Sequence, residues 1–439
     1  MNQKKNIRVA VQNFGCKVNQ LEGLKLSAQF SVRGYQLCGH DENADVYVVN
    51  TCTVTHNADR TSDKAIRRTL RQNSNAVVVV TGCHAESWND PSLPRNRVLK
   101  ISQLKKENLV AEVEKTLFGG TSEILDTLDY HTISPLPMRT KAYLKIQDGC
   151  DRFCTFCIIP FIRGRSRSKS AEQVLQEAQD LIQKGHKEIV ITGICVGDYG
   201  HDLTPKKSLS DLIMDLLSLS PHVRWRLSSI DPCDVDEKLV QTIWTHPNFC
   251  KHFHLALQHG SSRILKKMGR DYTKQEFFVL CRELRRRIPD AAITTDVMVG
   301  FPGETKEDFL ETYAFVEATA FSKTHVFPYS ERKGTGAAKH VGKVPHHIKK
   351  EREHMLLELS KALSIRFYAS CLGSRQEVLI ERSREQETGL LQGYTSNYIP
   401  VLMDGPDHLM GELVSVFLEA AAGDKVYGRC LNGFLVKSS

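Results

Sequence analysis

Short apolar segments and amphipathic segments alternate over roughly the first 120 residues of the chain. The segments between the apolar ones, LEGLKLSAQF (21–30) and DRTSDKAIRRTLRQ (59–72), have helical spacing. Short, continuously apolar strands that alternate with helices indicate a parallel sheet buried on both faces. The pattern therefore predicts an open parallel α/β domain, for which we expect the bounds 1–120. Its strands are RVAVQ (8–12), DVYVVN (45–50) and AVVVV (76–80).

Six further apolar segments follow between about residues 141 and 370, again separated by helical patterns. Six strand–helix units predict a parallel sheet curved into an incomplete barrel, because a closed barrel of this kind has eight. Active sites of such folds collect at the carboxyl ends of the strands. A long helical stretch over 348–370 ends this part of the chain. The six segments are AYLKIQ (142–147), EIVITG (188–193), VRWRLSSI (223–230), HFHLALQ (252–258), AITTDVMVGF (292–301) and HVFPYS (325–330).

The chain changes character after about residue 370. Short alternating segments such as EVLIE and GELVSVFL are broken by Gly, Asn and Asp, which predicts a small β-barrel or sandwich. Residues 121–140 contain Pro135 and Pro137 without periodicity, and we expect a linker there. The predicted fold class is therefore a multidomain α/β protein. Its parts are an open α/β domain (1–120), a linker (121–140), a (βα)6 barrel (141–370) and a small all-β barrel (371–439).

Composition narrows the class of protein. Hydrophobic residues make up 41% of the 439 residues and charged residues 25%, as in soluble globular proteins. No apolar run approaches the ~20 residues that span a bilayer. The N-terminal MNQKKNIRVAVQ lacks the apolar stretch and cleavage site of a secretory signal. We therefore expect a cytoplasmic protein with no membrane contact. The formal net charge of +8 suggests an acidic partner such as nucleic acid.

A cysteine follows closely after each predicted strand of the first domain. Cys16 lies in FGCKVNQ, Cys52 in NTCTVT and Cys83 in TGCHAE. Ligand sites of open α/β sheets form beyond the carboxyl ends of the strands, so these three thiols can converge. The simpler interpretation of any one of them is a small buried residue. Their shared position after successive strands favours a common ligand.

A second group of cysteines follows the first strand of the predicted barrel. Cys150, Cys154 and Cys157 form a C-x3-C-x2-C array in GCDRFCTFCIIP (149–160). Three thiolates leave one iron of a 4Fe–4S cube open, which suits a site where a small molecule binds the metal and reacts. Structural zinc is the alternative, but it needs four ligands. The nearest further cysteines are Cys83 and Cys195, and His186 lies on a predicted exposed turn.

The other seven cysteines fit no ligand spacing, and we expect them to be packing residues. Cys195 lies at a strand end in TGICVGDYG (192–200) and is therefore able to approach a cofactor, but we expect packing for it as well. That segment is no phosphate loop, since it has neither G-K-[ST] nor GxGxxG. The seven are Cys38, Cys195, Cys233, Cys250, Cys281, Cys371 and Cys430.

A run of motifs along nearly the whole chain resembles the radical S-adenosylmethionine methylthiotransferase family, in particular its tRNA N6-threonylcarbamoyladenosine branch. GCKVNQ is typical of that branch, whereas relatives that act on isopentenyladenosine usually carry a GCQMN-like form. The motifs are NFGCKVNQ (13–20), VVNTCTVT (48–55), VTGCHAE (80–86), QDGCDRFCTFCIIPFIRGRSRS (147–168), WRLSSIDP (225–232), TTDVMVGFPGETKEDF (294–309) and GYTSNYIPV (393–401).

The resemblance implies two 4Fe–4S clusters and S-adenosylmethionine as cofactors. Cys150, Cys154 and Cys157 would bind the radical-generating cluster, and Cys16, Cys52 and Cys83 an auxiliary cluster in an N-terminal methylthiotransferase domain. It also implies a TRAM-like RNA-binding barrel at the C-terminal end. By analogy we expect four contacts to S-adenosylmethionine, namely Gly193, Ser229, Gln258 and Val299.

The implied activity is transfer of a methylthio group to C2 of N6-threonylcarbamoyladenosine next to the anticodon of tRNA. The product is 2-methylthio-N6-threonylcarbamoyladenosine. Implied partners are that tRNA and an electron donor such as flavodoxin or ferredoxin, and we expect a monomer. Alternatives are a methylthiotransferase acting on isopentenyladenosine tRNA or on a ribosomal protein, and a zinc-stapled RNA-binding protein.

Two further features leave more than one interpretation open. Basic residues just beyond the cysteine array are able to hold RNA phosphates or to form a solvated surface; they are Arg163, Arg165, Arg167 and Lys169. His259 in LQHGSS (257–262) stands where relatives have a small residue. It is either a surface histidine in a loop or a functional histidine, and the sequence does not decide between the two.

Overall fold

The computed structural model describes residues 6–92, 94, 97–119 and 140–431. The predicted linker over 121–140 lies outside the described residues, apart from Thr140. Within these ranges, no helix combines the length and the apolar character that crossing a membrane requires.

The first described part is a five-stranded parallel sheet, as predicted, in the order β2-β1-β3-β4-β5. Its centre, β3, is wholly buried, which explains its continuous apolar pattern. The edge strands β2 and β5 have only three residues each and were not predicted. The strands are β1 (Arg8–Asn13), β2 (Gln36–Cys38), β3 (Val46–Thr51), β4 (Val77–Gly82) and β5 (Val98–Lys100), and the helices are α1 (Lys17–Val32), α2 (His56–Gln72) and α3 (Leu109–Phe118).

The middle part contains the six predicted strands, arranged as a curved and incomplete barrel. Two parallel sheets, β10-β9-β6 and β11-β12-β13-β14, adjoin because β10 and β11 are halves of one predicted strand interrupted at Ser228. The outer strands, β6 and β14, do not pair with each other among the described strands. The strands are β6 (Lys141–Lys145), β7 (Gln147–Asp148), β8 (Arg167–Ser168), β9 (Glu188–Thr192), β10 (Arg224–Leu227), β11 (Ser229–Ile230), β12 (His252–Gln258), β13 (Ala292–Val299) and β14 (Lys323–Pro328).

Helices cover the outer face of this barrel, and their apolar faces form its core with the strands. Trp225, Phe253 and Phe321 are among the side chains that are almost fully buried there. The last helix, α11, packs against β14. The helices are α4 (Ile159–Arg163), α5 (Ala171–Gln183), α6 (Leu209–Leu219), α7 (Glu237–Thr245), α8 (Ser262–Met268), α9 (Lys274–Arg287), α10 (Lys306–Thr319) and α11 (His346–Ser370).

The last part is a closed five-stranded barrel in the order β15-β16-β17-β19-β18, as the alternating pattern predicted. Alternate side chains such as Val378, Ile380 and Val416 fill its interior. The strands are β15 (Arg375–Arg384), β16 (Leu391–Thr395), β17 (Pro400–Met403), β18 (Leu413–Ala422) and β19 (Lys425–Cys430).

The closed barrel docks at the amino ends of the middle strands. Arg224 and Arg226 at the start of β10 are buried and donate to backbone oxygens of residues 377 and 394–396. Glu188, the first residue of β9, accepts from both guanidinium groups at 2.6 and 2.8 Å. The closed barrel therefore lies at the opposite end of these strands from their carboxyl-end loops.

The first sheet covers the gap between β6 and β14. On one side, α1 packs against β6. On the other side, Ser330, which follows β14, accepts from the backbone N–H of His56 at 3.0 Å. The carboxyl ends of β1, β3 and β4 are thereby held near the carboxyl ends of the barrel strands.

Candidate active site

The loop that carries Cys150, Cys154 and Cys157 follows β7 and is held by neighbouring elements. Gly149 has φ of +74°, and a Cβ there would lie 2.0 Å from the Arg165 carbonyl oxygen, so only glycine fits. The backbone N–H of Thr155 donates to the Met268 oxygen at 2.9 Å. The Thr155 oxygen in turn accepts from Ala337 at 2.7 Å. The array is thus anchored to the end of the helix that follows β12 and to the segment that follows β14, as well as to its own strand.

The three thiols of this loop are half-buried and lie near cationic side chains. Arg270 Nη1 lies 3.3 Å from the Cys154 sulfur, and Arg270 is held by an ion pair with Asp231. The neighbouring Cys195 thiol lowers the pKa of Cys150 to about 7, whereas burial raises the pKa of Cys157 to about 12. Metal binding needs thiolates, and the guanidinium groups beside this loop favour that form.

Cys195 belongs to this site, which corrects the prediction that it only packs. Its sulfur and that of Cys150 lie within 4.8 Å of each other and of a carboxylate oxygen of Asp198. Arg152 Nε also lies 3.4 Å from the Cys195 sulfur. The position of Cys195 just after β9 was the available signal, because loops at the carboxyl ends of neighbouring parallel strands meet.

Cys16, Cys52 and Cys83 follow β1, β3 and β4, as their spacing predicted. Cys16 is exposed, and Cys52 and Cys83 are buried. A Cβ on Gly15, the residue before Cys16, would lie 2.6 Å from the Cys52 sulfur. The N–H of Cys83 donates to the oxygen of Thr51, the residue before Cys52, at 3.1 Å. The structure therefore places all three at one edge of the first sheet.

The electrostatics of this edge agree with that proximity. Burial raises the pKa of Cys52 to about 11, with smaller contributions from the neighbouring Cys83 and Cys16. Burial also raises the pKa of Cys83, which Arg163 and Lys106 lower in part. Because Arg163 belongs to the helix that follows Cys157, it connects the surroundings of the two cysteine groups.

A buried ionic network joins the two groups. Glu22 on α1 accepts from Lys106 at 2.6 Å, from Arg163 at 2.8 Å and from Lys145 at 2.9 Å. Asp148 accepts from Lys145 at 2.7 Å and from Arg163 at 3.1 Å. Burial by itself would raise the pKa of Glu22, but the three cations hold it well below its ordinary value.

The four expected contacts to S-adenosylmethionine lie at or next to strand ends of the barrel. Gly193 follows β9, Gln258 ends β12 and Val299 ends β13, whereas Ser229 starts the short β11. Gln258 is a non-glycine residue with φ of +67°, a strained conformation that is concentrated at functional sites. Ser229 is exposed and Val299 is buried. These assignments remain predictions.

Unpartnered polar atoms near the cysteine loop fit a cationic ligand. No described residue hydrogen-bonds to Oδ2 of Asp198, Oδ2 of Asp234 or Oε1 of Gln258, although all three atoms are buried. Such atoms are costly unless something pairs with them. S-adenosylmethionine carries an ammonium and a sulfonium group, so these acceptors suit it in charge.

Several side chains differ from expectation. Arg163 is buried against Glu22 and is therefore not available to RNA phosphates, whereas Arg165 is 72% exposed. His259 is buried and accepts from the Ser261 N–H at 3.0 Å, so it is not a surface histidine. His186 is buried rather than on an exposed turn. Cys233 is exposed and not a packing residue.

Comparisons with known proteins agree with this architecture. The model of the radical SAM superfamily matches residues 144–316, and that of the uncharacterized protein family UPF0004 matches residues 8–101. The threonylcarbamoyladenosine tRNA methylthiotransferase of Bacillus subtilis is 37% identical over 93% of this chain and 93% of its own. The protein of the same name from Thermotoga maritima is 36% identical over 95% of this chain and 96% of its own.

This chain belongs to the methylthiotransferase family. The resemblance found in the motifs is thus confirmed. Another methylthiotransferase relative, the tRNA-2-methylthio-N(6)-dimethylallyladenosine synthase of Thermoanaerobacter pseudethanolicus, is 34% identical over 94% of this chain and 91% of its own. Among solved structures, the cobalamin-dependent S-adenosylmethionine radical enzyme OxsB aligns with a TM-score of 0.49 and 13% identity, over 83% of this chain and 57% of that one.

Proposed function

We propose that this chain methylthiolates C2 of N6-threonylcarbamoyladenosine next to the anticodon of tRNA, by radical S-adenosylmethionine chemistry. The proposal is supported by two three-cysteine groups that each follow the carboxyl ends of parallel strands, with a buried ion pair between Arg163 and Glu22 that joins the elements beside them. The relatives with 36–37% identity act, by their names, on threonylcarbamoyladenosine tRNA, which supports the choice of substrate.

Each cysteine group would hold one 4Fe–4S cluster. Cys150, Cys154 and Cys157 would hold the cluster that works with S-adenosylmethionine, and Cys16, Cys52 and Cys83 the auxiliary one. The bound cofactors supply radical chemistry, which an unreactive adenine C2–H bond requires. Three protein ligands per cluster leave one iron of each open to a small molecule.

The protein itself provides position, charge and exclusion of water. Asp198, Asp234 and Gln258 present acceptors to the cationic groups of S-adenosylmethionine, joined by Gly193, Ser229 and Val299 at the neighbouring strand ends. The guanidinium group of Arg270 places a positive charge next to the Cys154 sulfur. The first sheet closes the open side of the barrel, which keeps solvent from a reactive radical.

The domain organisation follows the same proposal. Residues 1–120 form the methylthiotransferase domain, 141–370 the radical S-adenosylmethionine domain, and 371–439 a TRAM-like domain that contacts RNA. The net charge of +8 and exposed basic residues such as Arg165 and Arg167 support an RNA partner. We further propose a monomer in the cytoplasm that receives electrons from a flavodoxin or ferredoxin.

A second substrate has support of its own. The synthase relative with 34% identity acts, by its name, on dimethylallyladenosine, which makes isopentenyladenosine tRNA the runner-up. Mass analysis of nucleosides from cells that lack the gene separates the two substrates. Loss of 2-methylthio-N6-threonylcarbamoyladenosine supports the proposal, and loss of the isopentenyl form instead would redirect it.

A biochemical test addresses the chemistry directly. The purified chain is reconstituted anaerobically with iron and sulfide and given threonylcarbamoyl-modified tRNA, S-adenosylmethionine and a reductant. The expected result is a methylthio product that Cys16→Ala and Cys150→Ala each abolish, while Cys233→Ala, a change at an exposed thiol outside both groups, retains activity. A colourless protein that binds one or two zinc ions and little iron would overturn the proposal.

A further inference from the structure

Cys195 lies beside Cys150, outside both three-cysteine groups, and has no role in the function proposed above. It is 9% exposed, and its sulfur lies within 4.8 Å of the Cys150 sulfur. Arg152 Nε donates to the Cys195 sulfur at 3.4 Å. A sulfur that accepts from a guanidinium still has its own S–H to donate. The Cys150 sulfur is an acceptor that lies within this distance of the Cys195 thiol.

The relative position of Cys150 and Cys195 is set by a single buried side chain. Gln147 Oε1 accepts from the N–H groups of Ile194 and Cys195 at 3.1 and 2.9 Å. Its Nε2 donates to the oxygen of Gly149, the residue before Cys150, at 2.8 Å. Gly193 allows the approach, because a Cβ there would lie 3.0 Å from Gln147 Oε1. The amide of Gln147 therefore ties both cysteine backbones together, independently of any bound group.

Arg152 fixes the other side of Cys195. Its guanidinium also pairs with Asp234 at 2.5 Å and with Asp231 at 3.6 Å. These ion pairs hold the guanidinium in place, so its N–H group keeps one lone pair of the Cys195 sulfur occupied. The thiol is thereby oriented rather than free to rotate among equivalent partners.

We propose that the Cys195 thiol donates a hydrogen bond to the Cys150 sulfur when that sulfur binds a 4Fe–4S cluster, and that this raises the reduction potential of the cluster. One-electron reduction adds negative charge, part of which lies on the ligand sulfurs. A donor at such a sulfur stabilises the reduced form more than the oxidised form. Cys195 is thus a positioning residue that makes this cluster easier to reduce. The inference rests on the proposed assignment of Cys150 as a cluster ligand.

The competing role is direct ligation, in which Cys195 binds the iron that the three loop cysteines leave open. That role predicts that S-adenosylmethionine must displace Cys195. Removing the thiol would then tighten S-adenosylmethionine binding and change the spectrum of the cluster in its absence. Hydrogen bonding predicts neither effect, which makes the two roles separable.

The test measures the potential of this cluster in the full chain. A Cys16→Ala, Cys52→Ala, Cys83→Ala background leaves one cluster, and dithionite titration followed by electron paramagnetic resonance gives its midpoint potential. Cys195→Ala removes the donor, Cys195→Ser keeps an O–H donor on the same Cβ, and Cys281→Ala is the control at another buried cysteine. Iron, sulfide and S-adenosylmethionine affinity are measured for each variant.

We expect Cys195→Ala to shift the potential to more negative values, with unchanged iron content and S-adenosylmethionine affinity. Cys195→Ser should return it toward that of the parent, and Cys281→Ala should not move it. An unchanged potential in Cys195→Ala overturns the inference. Tighter S-adenosylmethionine binding, or equal loss of iron in both Cys195 variants, overturns it in favour of ligation or a structural role. A parent chain that takes up no iron overturns the proposed function itself, and the inference with it.

Discussion

Arg163 binds Glu22 through two nitrogen–oxygen contacts of 2.8 and 3.3 Å, although 141 positions separate the two residues. Arg163 follows the loop of Cys150, Cys154 and Cys157, and Glu22 lies on the helix that begins directly after Cys16. Both side chains are buried. The pair therefore connects the two elements that adjoin the cysteine groups, α1 and α4.

Removing the Glu22 carboxylate should destabilise the protein strongly. Glu22→Gln leaves Arg163, Lys106 and Lys145 without their shared counter-ion in a buried site, which costs about 3–5 kcal/mol. Urea unfolding of the cluster-free chain measures the loss. The control is Glu42→Gln, whose partner Arg8 lies 2.5 Å away but whose side chain is 56% exposed. There we expect a far smaller loss, because solvent screens an exposed ion pair, and equal losses at both positions would contradict this account.

The same carboxylate should make stability depend on pH in the acid range. The folded pKa of Glu22 is depressed, so its contribution is complete above about pH 4.5 and is lost as pH falls through the folded value. Unfolding free energy of the wild type should therefore drop steadily below about pH 4.5. The unfolding free energy of Glu22→Gln should fall less steeply with decreasing pH. Some pH dependence should remain, because the pKa of Asp148 is lowered as well. Parallel curves for the two proteins would refute the assignment.

Arg332 should hold the first sheet on the barrel. It donates to Asp59 on α2 at 2.7 Å and to the Thr53 carbonyl oxygen, next to Cys52. Arg332→Ala should weaken this attachment by about 3 kcal/mol, because it removes a buried charged donor. Hydrogen exchange of residues 53–59 should then rise. Lys333→Ala, a change at the exposed neighbour, should leave the exchange unaltered.

Iron content should divide equally between the two cysteine groups. The reconstituted wild type should hold about eight iron atoms, one cube per group, and the Cys16→Ala, Cys52→Ala, Cys83→Ala variant about four. The matching variant of Cys150, Cys154 and Cys157 should also hold about four. Cys233→Ala serves as the control at an exposed thiol and should retain all eight, measured as iron and acid-labile sulfide.

Gly82, just before Cys83, should not tolerate a side chain. Its φ is +92°, and a Cβ would lie 2.3 Å from the Thr51 oxygen. Gly34 has φ of +90° but nothing within 4 Å of its Cβ position. A substitution there therefore measures the cost of the backbone conformation without a steric clash. Gly34→Ala should cost about 1–2 kcal/mol, and Gly82→Ala clearly more because of the clash. Equal changes in thermal unfolding would show that the loop before Cys83 adapts freely.

The strand pattern and the strand-end cysteines could be predicted because each depends on local sequence. Buried β-branched segments identify β1, β3 and β4, and the parallel topology then brings Cys16, Cys52 and Cys83 to one edge. The strands β2 and β5 were missed because three-residue edge strands have too little pattern to detect.

Side-chain partners from distant parts of the chain were not predictable in the same way. The sequence left RNA contact or a solvated surface open for Arg163, but an ion pair with Glu22 buries it, and no local pattern encodes that contact. The approach of Cys195 to Cys150 depends on hydrogen bonds made by the amide of Gln147. No local pattern shows those bonds, so the sequence predicts only packing for Cys195. His259 is buried because α10 supplies Thr312 as a neighbour of its ring at 3.1 Å.

The closed barrel at the amino ends of the strands has a geometric consequence for any nucleic acid that engages it. The cysteine loops lie at the carboxyl ends, and strands of five to eight residues separate the two levels by about 17–26 Å. A polynucleotide that touches both must run lengthwise down the flank of the molecule. An RNA fragment shorter than that span reaches either the cysteine loops or the closed barrel, but never both together.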